Sequence, residues 1–275
     1  MIQQAYITGW RSTAPWSDDA QVEQDLVLSR AVVELFQSPE LAKQIALRGG
    51  TALSKLFIQP ACRYSEDIDL VQTQAGPAGP LIDAIRETLD PWLGKPSRAR
   101  AEGGFALIYR FVSEIAPVRP LRLKIEINTR EHFTLIGLQT LSLEVSSPWF
   151  NGMAPVQTYQ LDELMGTKLR ALYQRRKGRD LFDLWLCLSR KLIEPTRVID
   201  CFLKYMTHEG HSVSRAQFEQ NLHDKQTDSA FMGDIVPLLS VSTTYDPVAA
   251  LRLVHNALIS KLPGEPWRGT PRKED

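Results

Sequence analysis

Cysteine is scarce: Cys62, Cys187 and Cys201 are the only three in 275 residues, odd in number, far apart and never in a C-x-x-C pair. That pattern argues against a disulfide framework and against a thiolate zinc site. Net charge is absent as well. Lys+Arg and Asp+Glu each number 32, so no overall attraction to a polyanion operates and any nucleic-acid contact has to be a local patch. No apolar run reaches the ~18 residues that a membrane helix needs, and Met1 to Trp16 holds no apolar segment of the signal-peptide kind. The expected setting is a reducing cytoplasm, without secretion or membrane spanning. Internal repeats and low-complexity tracts are also missing.

What remains is ordinary globular composition, 43% hydrophobic and 23% charged. Leu28, Val32, Leu35 and Phe36 recur on one helical face until Ser38-Pro39 breaks the run, so a helix is expected over residues 18–36. Ile45 to Leu47, Gly49-Gly50-Thr51 and Ala52 to Phe57 suit a strand, a tight turn and a helix start. Further strands are expected from Asp67, over Phe105 to Phe111, over Leu121 to Ile127 and over Leu141 to Val145, with a helix from about Leu81 to Leu93. After Pro155 only helices are needed, near residues 162–173, 180–190, 195–206, 214–222 and 248–259. The expected fold class is α/β (α+β): a lobe over residues 1–155 with a small mixed sheet and flanking helices, then an all-helical lobe over 156–262. Residues 263–275 read as a loose tail.

The chemistry concentrates at Asp67-Ile68-Asp69. Side chains on a strand alternate, so the two carboxylates share one face while Ile68 and Leu70 turn to the core. Two such neighbours repel unless a cation lies between them, and Mg²⁺ held by one or two carboxylates plus substrate phosphates is the usual solution in phosphoryl and nucleotidyl transfer. A bare D-x-D also fits a solvated strand end. Upstream, Gly49 and Gly50 let backbone approach a phosphate closely and the Thr51 hydroxyl is a further donor, although Gly-Gly-Thr alone also fits a plain turn with an N-cap. Alternation on Arg122 to Asn128 sets Glu126 on a polar face, either as a third carboxylate or as a partner of Lys124 or Arg122.

Together, Arg48-Gly49-Gly50-Thr51-Ala52-Leu53 and Arg63-Tyr64-Ser65-Glu66-Asp67-Ile68-Asp69-Leu70 resemble the first signature of the AbiEii-type nucleotidyltransferase toxins, within the DNA-polymerase-beta-like superfamily. Lys168-Leu169-Arg170-Ala171-Leu172 and Arg179-Asp180-Leu181-Phe182-Asp183 are similar to the family's downstream lysine and R-D-x-x-D elements. The resemblance implies catalysis by Asp67, Asp69, Glu126, Lys168 and Asp183, Mg²⁺ on Asp67, Asp69 and Glu126, and nucleotide contacts from Arg48, Gly49, Gly50, Thr51, Ser65 and Lys168. Ser65 falls near the γ-phosphate on this reading, and by itself reads as a turn residue. The family further implies an NTP substrate, RNA acceptors such as tRNA 3′ ends, and a separately encoded antitoxin. A protein or small-molecule acceptor, or a catalytically weak nucleotide-binding regulator, are the alternatives.

Lys168 shares a helical stripe with Leu161, Leu164 and Leu172, which carries its ammonium inward toward an anion, a triphosphate being the obvious one. Asp183 stands among Leu181, Phe182, Leu184 and Trp185 and needs a cationic partner, Lys168 or Arg179. Asp180 reads as a helix-start residue. Arg170, Arg175, Arg176, Lys177 and Arg179 follow Lys168 with no acidic residue between Lys168 and Arg179, a run suited to a nucleic-acid backbone or to a solvated helix face.

Overall fold

The computed structural model describes residues 2–101 and 103–269. The chain forms two compact units: residues 1–160 with 238–243, and residues 161–237 with the chain from Thr244 onward. The sequence suggested a boundary at 155, but the last strand of the first unit runs across that point. No helix among the described residues is long and apolar enough to cross a membrane.

The first unit opens with α1 (Gln4–Trp10), α2 (Asp19–Gln37) and α3 (Pro39–Gln44). Asp18 caps α2 by accepting from the Ala20 amide, and Ser38 with Pro39 ends it and caps α3. Leu26, Val27, Leu28, Val32, Val33 and Phe36 bury α2 almost all round, so it is the core helix of this unit, packed on α1, on α5 (Ala78–Leu93) and on the sheet.

That sheet has seven strands: β1 (Ile45–Arg48), β2 (Asp67–Gln72), β3 (Ser97–Ala101), β4 (Gly104–Val112), β5 (Pro120–Asn128), β6 (Leu138–Ser146) and β7 (Asn151–Tyr159). Their order is β3-β4-β5-β2-β1-β7-β6. The central strand β2 is parallel to β5 and antiparallel to β1. A four-residue helix, α4 (Gly49–Ala52), and one π-helical turn over Leu53–Phe57 follow β1 directly.

Two strands escape the hydrophobic pattern. β3 is Ser-Arg-Ala-Arg-Ala, an edge strand whose charge serves solubility rather than burial. β7 contains Pro155, the point after which only helices were expected. Parallel pairing with β1 occurs only at Leu47–Thr158, so Pro155 lies on a stretch paired to β6 alone, where its missing N–H is tolerated.

The second unit is helical: α6 (Leu161–Gln174), α7 (Gly178–Ser189), α8 (Pro195–His208), α9 (Arg215–Gln226), α10 (Ser229–Gly233) and α11 (Pro247–Ala257). Helix starts follow local chemistry, with Glu194-Pro195 and Asp246-Pro247 opening α8 and α11 and a Ser214/Gln217 capping box opening α9. The stretch expected as a loose tail is held against α9: the Pro263 carbonyl accepts from the Arg215 amide at 2.8 Å and the Trp267 amide donates to Glu219 at 2.7 Å. The rest of that expected tail, residues 270–275, lies outside the described residues.

Candidate active site

In the first unit β1 delivers Arg48 and then turns at Gly49, whose φ of +74° lies in the left-handed region. A side chain there would also place its Cβ 2.0 Å from Asp69 Oδ2, so glycine is required twice over and the backbone lies directly against the carboxylate. A Cβ on Gly50 would fall 2.5 Å from Arg63 Nη2 and 3.0 Å from Ser65 Oγ. Arg63 therefore lies over the glycine turn, a residue whose place the motif alone did not reveal. Its loop is tied down from far along the chain: Tyr64 N donates to Leu238 O at 2.8 Å, Ser240 N donates to Cys62 O at 2.9 Å, and Arg63 bridges to Leu239.

Thr51 was expected to offer a donor to a ligand. Its fully buried hydroxyl instead bonds the Asp67 carbonyl oxygen at 2.5 Å and Ser65 Oγ at 3.0 Å, so its work is to fix the turn to the start of β2. Arg48 is engaged as well, with Nη1 2.5 Å from Glu131 Oε2. Burial works against its charge, but Glu131, with Tyr159 and Asp69, holds its pKa above the usual arginine value.

Asp67 and Asp69 stand on one face of β2, as alternation requires, with Ile68 and Leu70 buried behind them. In the sheet register Arg48, Asp69 and Glu126 form one row and Asp67 and Lys124 the next. Glu126 is thus in register with Asp69, and it ion-pairs with Lys124, the second of the two roles read from the strand. Burial opposes the charge of Lys124, yet Glu126, Asp67 and Asp69 raise its pKa above the ordinary lysine value.

Asp67 is the least satisfied group in this cluster. Its Oδ1 is buried without a hydrogen-bond partner, and burial first, then Asp69, Glu66 and Glu126, push its pKa up to about 7 against the pull of Lys124. A buried, unpartnered carboxylate oxygen among like charges is a cation's place. Among the described residues no group of three His, Cys, Asp or Glu forms a metal cluster. Two aspartates fit Mg²⁺ on those terms, since Mg²⁺ takes its remaining ligands from phosphate and water.

The second unit holds a different arrangement. Lys168 on α6 lies 2.9 Å from Asp183 Oδ2 and 3.2 Å from Asp180 Oδ1, both carboxylates on α7 and both fully buried. Arg175 closes the knot on Asp180 through Nε at 2.7 Å and Nη2 at 2.9 Å. Burial alone would raise the Asp180 pKa, but Lys168 and Arg175 hold it at about 2. Asp180 is therefore a buried hub rather than a mere helix-start residue, and of the two expected partners of Asp183, Lys168 is the one that pairs with it. Lys225 buttresses the end of α6, its ammonium on the carbonyls of Leu172 and Tyr173.

Comparison with known proteins bears on both halves. The profile of the nucleotidyl transferase AbiEii toxin family, from type IV toxin–antitoxin systems, matches residues 30–249. The chain belongs to this family. Among solved structures, the chain is similar to the MenT4 nucleotidyltransferase toxin of Mycobacterium tuberculosis H37Rv at 14% identity, with 96% of this chain and 91% of that one covered and a TM-score of 0.58, a likeness of fold. A crystal structure of an assigned nucleotidyltransferase from H. pylori matches at 17% identity over 88% of this chain and 93% of that one, with a TM-score of 0.45. No curated protein matches. As an AbiEii nucleotidyltransferase of the toxin–antitoxin class, the protein has an antitoxin partner implied by its family.

The basic run of this AbiEii chain is less free than its sequence suggests. Arg170 is buried on Glu209 at 2.8 Å with its guanidinium over the Tyr205 ring, and Arg175 is spent on Asp180. Arg170 is thereby corrected from a nucleic-acid contact to a structural cation, while Arg175 grips Asp180 with half of its side chain exposed. Arg176 and Lys177 are exposed and meet Asp228 at 3.2 Å and Asp234 at 3.6 Å. The Arg179 side chain makes no ion pair among the described residues, and its amide donates to Asp234 at 3.2 Å.

Proposed function

We propose that this AbiEii nucleotidyltransferase is Mg²⁺-dependent, uses an NTP, and transfers its nucleotide to RNA, with tRNA 3′ ends as the acceptors. The observation that carries the reading is Asp67 Oδ1, a buried carboxylate oxygen without a partner, beside an Asp69 against which Gly49 lays bare backbone. Mg²⁺ on Asp67 and Asp69 would neutralise charge on the phosphates and polarise the one under attack. The chain's own parts do the rest. Gly49 and Gly50 admit the triphosphate close to backbone, Arg63 stands over the turn as a cation, and Ser65 is fixed beside it by Thr51. On this reading Glu126, one strand across from Asp69, takes the proton of the attacking hydroxyl once its ion pair with Lys124 opens. Lys168 acts as the phosphate-binding cation of the second unit, with Asp183 and Asp180 orienting its ammonium.

RNA as acceptor is supported by Arg176 and Lys177, exposed cations whose surface ion pairs are weak enough to exchange for phosphate, and by the half-exposed Arg179 beside them. Incubation of the protein with each of the four α-labelled NTPs, Mg²⁺, total tRNA and cell protein tests the proposal. Label in tRNA, lost on chelation and in Asp67→Asn, is the expected result. Label in protein or a small molecule would change the acceptor, and no label anywhere would reduce the chain to a nucleotide-binding regulator.

A further inference from the structure

A cavity of about 510 Å³ opens within the second unit between α9, α11 and the segment that carries Trp267. Leu222 and Leu251 supply apolar lining, while Arg215, His223, Arg252 and His255 bring polar heads to it. The half-exposed Trp267 ring lies 4.9 Å from that of His223. The one carboxylate in the lining, Glu219, is consumed locally: it accepts from Arg215 Nε at 2.7 Å, His255 Nε2 at 2.9 Å and the Trp267 amide at 2.7 Å. Arg252 is exposed and makes no ion pair among the described residues. The balance of the lining is therefore cationic around an aromatic wall.

The volume suits a small ligand rather than a folded partner. A planar ring stacks on tryptophan whatever its identity, and arginine prefers phosphate, the pairing that single-strand-binding proteins use. We propose that this cavity binds a nucleotide unit, its base against Trp267 and His223 and its phosphate between Arg215 and Arg252. This site is additional to the one on β2. Its use as an RNA-holding pocket rests on the RNA-acceptor reading, whereas the binding itself needs no turnover.

The test uses the full chain labelled with 5-fluorotryptophan, with the Trp267 ¹⁹F resonance assigned through Trp267→Phe. Titration with 5′-AMP and, separately, with a 5′-phosphorylated RNA tetranucleotide should move that resonance saturably. Arg252→Glu should weaken the response about tenfold or more. The same shift in an Asp67→Asn chain keeps the β2 site out of the readout, so a failed transfer assay and a failed pocket remain distinguishable. Tighter binding of the tetranucleotide than of 5′-AMP identifies RNA as the source, and equal binding identifies free nucleotide. A resonance that neither probe moves, or a shift that Arg252→Glu leaves unchanged, overturns the proposal.

Discussion

The two charged clusters of this protein are opposites. On β2 and the adjacent β5, Asp67, Asp69 and Glu126 crowd together with Lys124 and Arg48 too few or too engaged to balance them, and a buried Asp67 oxygen is left without a partner. Between α6 and α7, Lys168 and Arg175 meet Asp180 and Asp183 in a knot of short ion pairs. Buried charge costs free energy unless matched. A matched cluster is consistent with a part that holds its own shape, and an unmatched one with a part completed by something else.

The largest effect should come from breaking the unmatched side. Asp67→Asn or Asp69→Asn is expected to lower transfer about a thousandfold or more, the loss of a metal's several kcal/mol. Yet Asp67→Asn should leave thermal stability unchanged or raised, since it removes like-charge repulsion from a desolvated site. Turnover and a melting curve on the same preparation check this, and wild-type turnover would end the metal-site reading. The raised Asp67 pKa adds a sign. Cation and proton compete for the carboxylate, so the Mg²⁺ concentration needed for half-maximal activity should fall as pH rises through about 7.

The matched side should break the other way. Asp180→Asn takes away one of the two carboxylates that hold Lys168 and the one that Arg175 grips, and is expected to cost about 1–3 kcal/mol of stability, read by denaturant titration. Asp180 has a folded-state pKa depressed to about 2 from the ordinary 3.8. Its stabilisation is therefore fully present above the unfolded value and is lost as pH falls through that window toward 2. Acid unfolding of wild type should steepen there, and Asp180→Asn should remove that share of the steepening. An Asp180→Asn chain as stable as wild type would show the knot to be strained rather than supportive.

The glycine turn separates geometry from charge. Gly49→Ala has to adopt a positive φ and push on the Asp69 carboxylate, so a loss of about 1–3 kcal/mol with abolished transfer is expected. Gly50→Ala needs no positive φ and meets side-chain ends alone, Arg63 Nη2 at 2.5 Å and Ser65 Oγ at 3.0 Å, rather than a strand-borne carboxylate at 2.0 Å. It should fold nearly as well as wild type and show its defect in KM for the nucleotide. Equal losses in the two variants would mean that the turn tolerates neither and that Arg63 is rigid.

Much of this was legible in the sequence where the signal is local. Period-two alternation gave the shared face of Asp67 and Asp69 and the polar face that carries Glu126, and the glycine pair marked the tight turn after β1. What stayed hidden depends on distant partners. The basic run reads as free because Glu209, 39 residues from Arg170, and Asp228, 52 residues from Arg176, come from other helices. The clamp of residues 238–240 on the Arg63 loop, and the double role of Asp180, depend equally on tertiary pairing. β3 and β7 were missed because an arginine-bearing edge strand and a proline-bearing strand carry no apolar alternation.

The smallest effect tests how far the comparison extends to the surface. Arg176 and Lys177 are paired in a formal sense, like the buried knot, but both are exposed, and such pairs contribute about 0–1 kcal/mol. If the second unit used all its charges structurally, neutralising them would destabilise it. If these two serve RNA phosphates, Arg176→Gln with Lys177→Gln should leave stability within about 0.5 kcal/mol of wild type. The variant should still bind NTP normally, because neither residue is assigned to it. Each phosphate that the protein ceases to neutralise keeps about one counterion that binding would have released, so a plot of log RNA affinity against log salt should flatten by about two units. Fluorescence anisotropy with labelled tRNA at several salt concentrations reads this directly. An unchanged slope with normal transfer would place the acceptor-binding surface elsewhere and leave this stretch as a solvated helix end.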